Sequence, residues 1–440
     1  MNQTSESDPV ADIGVQADAR HVAVIGAGIV GACCALELLD DGHRVTLVEP
    51  DEPGGEQAAS YGNGAWFSSS SVVPMSVPGL WRKVPGYLVD RDGPLTIRPG
   101  ALPSLAPWLL RFLRAGARVE QVEATARALA ALLHDAPARH ARLAAQAGVP
   151  ELVRASGQIH AFADRAAFEA EALAWRLRRD NGAQWAELDA AQLRARVPML
   201  DSRYGFGVYI AGTAHCPDPG AYVAALVALA ERRGATRMRA RALGFERRAG
   251  RLAAVRTDAG RLDCDGAVIA AGIRSAVLAR AAGDAIPLAS ERGYHVEIAD
   301  PPFTLDVPVM PADGRMANTS TRGGLRIAGQ VELARTDAAP DWRRAEVLLR
   351  HAQRAYPALA SIDTSRLRRW MGHRPSTPDG LPVIDASIGT RGVFHAFGHG
   401  HVGLAAAPAS AELLARIVAE SAGPMASAPY SMRRFVAATA

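Results

Sequence analysis

Three glycines and a glutamate near the N-terminus have the spacing needed to bind a dinucleotide. Gly26, Gly28 and Gly31 form the pattern G-x-G-x-x-G directly after the apolar run Val22–Ile25. The first glycine makes a tight turn, the second lets a pyrophosphate approach the backbone, and the third allows close helix packing. Glu49 ends the next apolar run, where a carboxylate can accept hydrogen bonds from ribose hydroxyls and repel a 2′-phosphate. The pattern predicts an adenine dinucleotide, either NAD or FAD, and disfavours NADP.

A strand–helix–strand unit must position these residues. Val22–Ile25 is short and rich in β-branched residues, as buried parallel strands are. Ile29–Leu39 is a predicted helix whose N-terminus offers free N–H groups to phosphates, and Val45–Val48 is the predicted second strand. The cofactor-binding residues predicted in this unit are Gly26, Ala27, Gly28, Ile29, Val30, Gly31 and Glu49.

The composition indicates a soluble globular protein of two or more domains. The chain has 440 residues, of which 49% are hydrophobic and 21% charged, and a net charge of +4. It has no Lys/Arg-rich run with interleaved aromatics, so nucleic acid is not an expected partner. Residues 1–20 lack the features of a signal peptide, and no apolar run could cross a bilayer, so we expect a disordered tail and a cytoplasmic protein. The four cysteines have no metal-ligand spacing, so no metal is expected.

Two segments between residues 50 and 118 allow alternative interpretations. The small-residue loop 53–64 could bring its backbone near a ligand, or it could be a plain surface loop. Trp108–Arg114 has apolar residues and arginines at helical spacing, which predicts an amphipathic helix. Such a helix packs against the protein's own core or lies on a membrane, so peripheral contact with the inner face of the membrane stays open.

The rest of the chain alternates predicted strands and helices. Strands are predicted at 204–212, 235–245, 251–257, 261–264, 292–299, 307–310 and 325–329, and helices at 120–147, 165–180, 217–233 and 341–355. Ala267–Ala271 is a predicted buried strand that stops at Gly272. Val393–Phe397, the glycine-rich turn Gly398–Gly403 and a helix with a break near Pro408 form a second strand–turn–helix unit. We expect this unit to complete the nucleotide-binding domain.

Five motifs occur together along the chain. They are V-I-G-A-G-I-V-G at 24–31, S-Y-G-N-G-A at 60–65, V-I-A-A-G at 268–272, W-M-G-H-R-P-S-T-P-D-G-L-P-V-I at 370–384 and G-H-G-H-V-G-L at 398–404. In this combination the chain resembles the D-amino-acid oxidase superfamily of FAD-dependent oxidoreductases, and most of all its bacterial D-amino-acid dehydrogenases and glycine-oxidase-like members. The resemblance covers nearly all of residues 21–425 and implies FAD rather than NAD.

The resemblance implies an α/β fold with two domains. One is a Rossmann-type FAD-binding domain like that of glutathione reductase, and the other is an α+β substrate domain whose mostly antiparallel sheet covers the flavin. We expect the discontinuous FAD-binding domain at 21–84, 206–287 and 371–425, and the substrate domain at 85–205 and 288–370. Residues 426–440 would form a C-terminal tail.

The same resemblance implies further contacts with FAD. The residues implied are Ser60, Asn63, Gly64, Ala65, Ala271, Gly272, Gly398, His399, Gly400, His401, Val402, Gly403 and Leu404. Relatives that bind flavin covalently carry a cysteine near the W-x-G-x-R-P segment. Met371, Gly372 and His373 stand there in this chain, so we expect non-covalent FAD.

The implied reaction is oxidative deamination of a D-amino acid, or of a cyclic or N-substituted relative such as D-hydroxyproline. A hydride passes from Cα to flavin N5, and the imino acid then hydrolyses to a 2-oxo acid. The substrate carboxylate needs a fixed cation, and a guanidinium offers two parallel hydrogen bonds. Arg374 of the R-P motif is the expected clamp. Tyr294 could add a hydroxyl, as tyrosines do in relatives, and His295 is a further catalytic candidate, although in a regular strand only one of the two should face the flavin.

Two other functions stay open at this point. A sarcosine- or glycine-type amine oxidase could use the same scaffold, and a non-catalytic subunit could bind flavin only to transfer electrons. The clamp motif favours catalysis, because a purely structural flavin does not need it. The sequence does not choose between O₂ and a quinone or other carrier as electron acceptor, and it does not indicate an oligomeric state.

Overall fold

The computed structural model describes residues 19–90 and 92–436. Its strands are β1 His21–Ile25, β2 Arg44–Val48, β3 Trp66–Ser68, β4 Leu95–Ile97, β5 Arg154–Ala155, β6 Gln158–Phe162, β7 Ala186–Leu188, β8 Phe206–Ile210, β9 Thr213–His215, β10 Thr236–Met238, β11 Ala242–Arg248, β12 Arg251–Thr257, β13 Gly260–Asp263, β14 Gly266–Ile269, β15 Ala289–Ile298, β16 Val309–Pro311, β17 Ala317–Thr321, β18 Gly324–Leu333, β19 Leu367–Ser376, β20 Val383–Ala386 and β21 Val393–Phe397. Its helices are α1 Ile29–Asp40, α2 Leu80–Val89, α3 Leu102–Ala115, α4 Val119–Leu133, α5 Ala136–Ala147, α6 Arg165–Glu169, α7 Ala172–Asp180, α8 Ala190–Arg196, α9 Pro219–Arg232, α10 Ser275–Ala282, α11 Arg343–Ala355, α12 Gly403–Val418 and α13 Pro424–Ser427.

The first sheet is mainly parallel and carries the glycine-rich turns. Its strand order is β10-β2-β1-β14-β21-β20, and only β20 runs antiparallel to its neighbour. Helices α1, α9 and α12 cover one face, while α10 and the small sheet β11-β12-β13 cover the other. β1 and β14 are therefore buried along their whole length, which is why their sequences are continuous apolar runs.

The second sheet has nine strands and is mostly antiparallel. Its order is β19-β15-β18-β17-β16-β6-β8-β7. β4 lies outside this order and pairs with the C-terminal end of β18. One face packs against α11 through Ala345, Leu348 and Ala352. The opposite face meets the first domain, where Arg326 Nη1 donates to the Tyr61 carbonyl oxygen at 2.8 Å. The loops of the first domain and this face of the second sheet thus enclose a space between them.

The predicted fold class is confirmed, but the elements divide at residues other than the predicted domain boundaries. β8 pairs with β6 and β7 in the second sheet, although its residues had been assigned to the FAD-binding domain. β19 continues across residues 370 and 371 as a single strand of that sheet. Helices α4 and α5 pack with α1, α9 and α12 through Leu129, Leu132 and Ala144, although they had been assigned to the substrate domain.

Several helix predictions also need correction. The segments 120–147 and 165–180 each form two helices rather than one, and α12 runs on through Pro408 without the expected break. Proline removes one N–H donor from a helix, and α12 continues because its sides are buried in the first core. No helix within residues 19–90 and 92–436 has the length and apolarity to cross a membrane.

The expected C-terminal tail is largely packed. Tyr430 is buried and donates its hydroxyl to the Ala128 carbonyl oxygen at 2.7 Å, and Met432 lies in a core beside the first sheet. Residues 437–440 and most of the expected N-terminal tail, residues 1–18, lie outside the described residues.

Candidate functional site

A cavity of about 480 Å³ lies between the glycine-rich turns of the first sheet and one face of the second. Most of the predicted cofactor residues line it. These are Gly26, Ala27, Gly28, Ile29, Val30, Glu49, Ser60, Asn63, Ala271, Gly272, Gly398, His399, Gly400, His401, Gly403 and Leu404. Arg374 lines the same cavity, so the structure brings the predicted phosphate cradle and the predicted carboxylate clamp into one space.

The first glycine turn fits a pyrophosphate. Gly26 has φ +104°, and a Cβ there would lie 2.5 Å from the Ala270 carbonyl oxygen. A Cβ at Gly31 would collide with the Gly26 carbonyl oxygen. At Gly28, by contrast, the nearest atom to an added Cβ is Ser60 Oγ at 3.5 Å, and the position opens into the cavity. Two glycines therefore serve packing, and Gly28 leaves the space that a phosphate group requires.

Glu49 is held in the position expected for a ribose acceptor. Its Oε2 accepts from the Ala27 N–H at 2.9 Å and its Oε1 from the Asp51 N–H at 3.2 Å. Burial raises the pKa of the Glu49 carboxyl, and these two backbone donors oppose the shift. Each carboxylate oxygen retains a further lone pair, which can accept from the hydroxyls of a ribose.

The loop after β2 is fastened to the start of α1. Ser60 Oγ accepts from the Ile29 N–H at 3.1 Å. The Asn63 side chain donates to the Ser60 carbonyl oxygen and accepts from the Ala65 N–H at 2.5 Å. Ala65 has φ +62°, which a residue with a Cβ rarely adopts. These bonds fix the loop in the form in which Ser60 and Asn63 face the cavity.

Four predicted cofactor residues support the cavity without lining it. Gly31 lies against the turn, and Ala65 is buried. The Gly64 carbonyl oxygen accepts from Thr319 Oγ1 at 3.0 Å, which joins the loop to the second sheet. Val402 is buried at the start of α12. These four residues support the fold around the cavity. Their positions in the motifs do not distinguish them from the residues that line it.

The second glycine turn, residues 398–403, closes one end of the cavity. Gly398 and Gly400 have φ values of +89° and +54°, and the Gly400 N–H donates to the Pro375 carbonyl oxygen at 2.9 Å. His399 is buried with its Nε2 2.9 Å from Ser410 Oγ, so it anchors the turn to α12. His401 lines the cavity, and its side chain is exposed there.

Arg374 is positioned by an irregularity in β18. The pairing of β15 with β18 shifts between Arg292 and Tyr294, opposite Gln330, whose φ is +58°. This bulge turns main-chain oxygens toward the arginine, which donates to Gln330 at 2.9 Å and to Gly329 at 3.4 Å. Burial lowers the pKa of the guanidinium, and Glu291 opposes the shift.

The guanidinium occupies the space above a glycine. An added Cβ at Gly293 would lie within 2.8 Å of Arg374 Nη1 and closer to other guanidinium atoms. An arginine has five N–H donors, and the two carbonyl contacts leave others for a carboxylate in the cavity.

The structure corrects the expected role of Tyr294. Its hydroxyl donates to Glu332 Oε2 at 2.6 Å and accepts from the Asp341 N–H at 2.9 Å, on the side of the sheet that packs against α11. His295 lies on the opposite face, as strand alternation predicts, with Nδ1 3.1 Å from the Gly62 carbonyl oxygen. Neither side chain lines the cavity. The hydrogen bonds that hold Tyr294 come from segments distant in the chain, so no local sequence pattern indicates them.

Several lining residues were not predicted. Trp370 stacks on His295 with ring centres 5.2 Å apart and fills the space left by Gly62 and Gly372. Arg241, Leu243 and Arg274 line the cavity from the first domain, and His373 lines it with Nδ1 2.7 Å from Ser290 Oγ. Trp370 and His373 lie inside a motif, which was the available signal. Arg241 and Leu243 follow a short strand with no motif.

The titratable groups give no sign of a metal centre. In the part of the chain that the structure describes, no group of three His, Cys, Asp or Glu side chains is arranged to hold a metal ion. Cys33, Cys34, Cys216 and Cys264 are free and buried, and no described cysteine lines the cavity.

Comparison with known proteins places this cavity in context. The family described as "FAD dependent oxidoreductase" (DAO) matches residues 21–417. A D-amino-acid oxidase of Bradyrhizobium diazoefficiens is 49% identical over 95% of this chain and 100% of its own length. D-amino acid dehydrogenase 2 of Ralstonia nicotianae is 33% identical over 94% of this chain and 100% of its own. The solved glycine oxidase of Geobacillus kaustophilus superposes with a TM-score of 0.69 at 20% identity, covering 94% of this chain and 98% of that one.

Proposed function

Because the chain belongs to the DAO family of FAD-dependent oxidoreductases, we propose that it catalyses the oxidative deamination of a D-amino acid. Family membership confirms the resemblance drawn from the motifs and the choice of FAD over NAD. The substrate class is supported by the two relatives named for D-amino acids, which match this chain over nearly its whole length.

The observation that carries the proposal is the position of Arg374. Its guanidinium lies in the cavity that also holds the Gly28 opening and Glu49, and it is fixed by two main-chain oxygens rather than by a carboxylate. Among the described residues no acidic side chain forms an ion pair with it within 4.0 Å. A fixed cation without a paired carboxylate suits the carboxylate of an amino acid.

The residues of this chain would bind and orient the substrate. FAD, when bound, supplies the acceptor for the hydride that leaves Cα. Ser60 and Asn63 would contact it from the first domain, and Glu49 would hold its ribose. The lack of cysteine among the described lining residues supports non-covalent binding. Arg374 would fix the direction of the carboxylate and so the position of Cα–H. Trp370 fills the space beside Gly62 and Gly372 and would thereby close the loop side of the cavity.

Glycine- and sarcosine-type oxidation is the weaker alternative. The glycine oxidase neighbour is only 20% identical, so it supports the fold alone. A non-catalytic flavin subunit is disfavoured because it would not need Arg374. Cyclic and N-substituted D-amino acids such as D-hydroxyproline offer the same carboxylate, and they belong to the proposed class.

We also propose that the protein acts in the cytoplasm, in contact with the inner face of the membrane. The four free, buried cysteines fit a reducing compartment. α3 buries Trp108, but it exposes Leu102, Leu110 and Leu113 on its outer side. A membrane quinone would be the natural electron acceptor for a protein held there, and O₂ is the alternative for a protein that is not.

The test is reduction of the flavin without oxygen. Purified protein is mixed anaerobically with D-amino acids, their L-enantiomers, glycine, sarcosine and 2-hydroxy acids, and the bleaching of the flavin absorbance is followed. We expect rapid bleaching by one or more D-amino acids. Bleaching by glycine or sarcosine alone would favour the alternative, and bleaching by 2-hydroxy acids alone would refute the proposal. Acid precipitation should release all the flavin into the supernatant if it is bound non-covalently.

A further inference from the structure

A buried carboxylate beside the clamp has no role in the function proposed above. Glu291 on β15 pairs in register with Arg374 on β19, and it is only 6% exposed. Its Oε2 accepts from Ser376 Oγ at 2.8 Å. The Arg374 guanidinium is turned away toward Gly293, so the two charges lie near each other without a direct ion pair. Glu291 thus keeps hydrogen-bonding capacity in a place where an unpaired carboxylate is costly.

A second, small cavity adjoins this carboxylate. It has a volume of about 20 Å³, enough for one water molecule, and Glu291, Ser376 and His401 line it. His401 and Gly400 also line the large cavity, so they form the wall between the two spaces. An imidazole therefore faces the proposed substrate site on one side and a water-sized space with a buried carboxylate on the other.

We propose that His401 and Glu291 form the outlet for the proton that the substrate ammonium must lose before Cα–H is oxidised. This inference rests on the proposed function. The N–H bond of the ammonium breaks, its electron pair stays on the nitrogen, and the proton bonds to the imidazole of His401. His401 then passes a proton through a water in the small cavity to the Glu291 carboxylate. No electrons move in these steps, and the amine is left neutral for hydride transfer.

The charges around the two groups favour transfer once a substrate is bound. Burial raises the pKa of Glu291, and its hydrogen bond with Ser376 and the charge of Arg374 oppose that rise. The positive charge of Arg374 also disfavours protonation of His401. A substrate carboxylate on Arg374 cancels much of that positive charge, so both groups bind a proton more readily. The other charged side chain lining the small cavity is Asp379, which is already paired with Arg434 at 2.6 Å. Carboxylate binding and proton uptake are therefore coupled through Arg374.

Isosteric variants separate a proton path from a structural role. Glu291→Gln keeps an acceptor for Ser376 but cannot take a proton, and His401→Gln removes the imidazole. Asp379→Asn is the matched control, because it makes the same acid-to-amide change in the wall of the same small cavity. We expect both relay variants to lose about tenfold to a hundredfold in kcat/KM at neutral pH with FAD fully bound. The control should stay within about threefold of wild type.

The pH profile is the decisive measurement. At about pH 10 much of the substrate arrives as the neutral amine, so the relay is not needed and the relay variants should approach wild type. A loss of the same size at neutral and high pH, or no loss at neutral pH, would overturn the inference. Proton release into weakly buffered solution, followed with a pH indicator during anaerobic mixing, gives a second readout, and at neutral pH it should be slower in both relay variants than in wild type. Wild type inactive on every amino acid would instead refute the proposed function.

Discussion

Arg374 is the side chain on which the proposed substrate binding depends most. Its truncation would remove a charge-assisted contact that can form two parallel hydrogen bonds with the substrate carboxylate. We expect Arg374→Ala to lower kcat/KM by roughly a hundredfold to several thousandfold, or about 3–5 kcal/mol, and Arg374→Lys to recover only part of this. Steady-state kinetics would measure kcat/KM of each variant, and absorbance would show that FAD remains bound.

Arg369→Ala is the matched control for this prediction, because Arg369 is an exposed arginine on the same strand. It should leave kcat/KM nearly unchanged. If Arg374→Ala retains its flavin and stays within about threefold of wild type, another group must hold the carboxylate.

Gly293 should affect substrate binding, because the guanidinium of Arg374 packs against it. A methyl group at Gly293 would enter the space of the guanidinium and push it from the Gln330 oxygen. We therefore expect Gly293→Ala to raise KM about tenfold or more while FAD remains bound. Gly212→Ala is the control, since no atom lies within 4 Å of its added Cβ. Equal KM values for the two variants would show that the guanidinium is not fixed by this packing.

Side chains whose task is local could be predicted from the sequence, and those with distant partners could not. Gly28 and Glu49 belong to one strand–turn–helix unit, so their spacing was sufficient to predict that they would lie at one cavity. Tyr294 is engaged by Glu332 and by the backbone of Asp341, and neither partner is near it in sequence. Arg374 was inferred from its motif, but the bulge at Gln330 that orients it was not foreseen.

Variants in the turn between β1 and α1 can test cofactor binding and folding separately. Gly28→Val places a branched side chain in the open space of the cavity, so we expect it to abolish FAD binding while the apoprotein stays folded. Gly31→Ala is the contrasting variant, since its Cβ would collide with the Gly26 carbonyl oxygen and should destabilise the fold itself. Flavin absorbance and circular dichroism of the purified variants report the two effects. If Gly28→Val retains full flavin occupancy, this turn does not form part of the FAD-binding site.

A buried cluster beside β21 should make stability depend on pH. Asp284 accepts from Ser387 Oγ at 2.5 Å and lies 2.7 Å from His395 Nε2. Burial alone would raise the pKa of Asp284, but His395 and Ser387 together hold it below its usual range. A carboxyl whose folded pKa is depressed adds stability above its unfolded pKa, near 3.9, and loses it as pH falls through the folded value.

Asp284→Asn should therefore lower the free energy of unfolding by about 1–3 kcal/mol near neutral pH, and the deficit should shrink as pH falls below about 4. Urea unfolding at several pH values measures it. Asp337→Asn, in an exposed pair with Arg335, is the control and should change little. A deficit that does not vary with pH would mean that the carboxylate charge is not what stabilises β21.

At the scale of the whole molecule, the fold class was predictable and the division into domains was not. Periodicity marked most of the individual strands and helices, and the motifs indicated which family of folds they build. The pairing of β8 with β6 and the docking of α4 and α5 on the first core are long-range choices. They depend on which surfaces are complementary after folding, and a local pattern of apolar residues does not specify its partner.

The outer side of α3 bears on where the molecule works. Leu102, Leu110 and Leu113 are 44%, 58% and 36% exposed, and residues 93–119 contain four arginines and no acidic residue. Inside, Trp108 Nε1 donates to the Ser376 carbonyl oxygen at 3.1 Å, so this helix packs against the strand that carries Arg374. An apolar helix face bordered by arginines is suited to a surface of anionic lipids.

We therefore expect the protein to sediment with anionic vesicles, less so with neutral ones, and less at high salt. Leu110→Glu combined with Leu113→Glu should abolish binding without affecting oxidation of a soluble substrate, because both side chains face away from the cavity. Ile388→Glu is the control, since Ile388 is 47% exposed in a loop outside α3. The physical reason is that two carboxylates cannot enter the lipid headgroup boundary without losing their water. If wild type stays in the supernatant with both kinds of vesicle, the exposed face of α3 does not bind membranes, and a soluble acceptor such as O₂ becomes the better expectation.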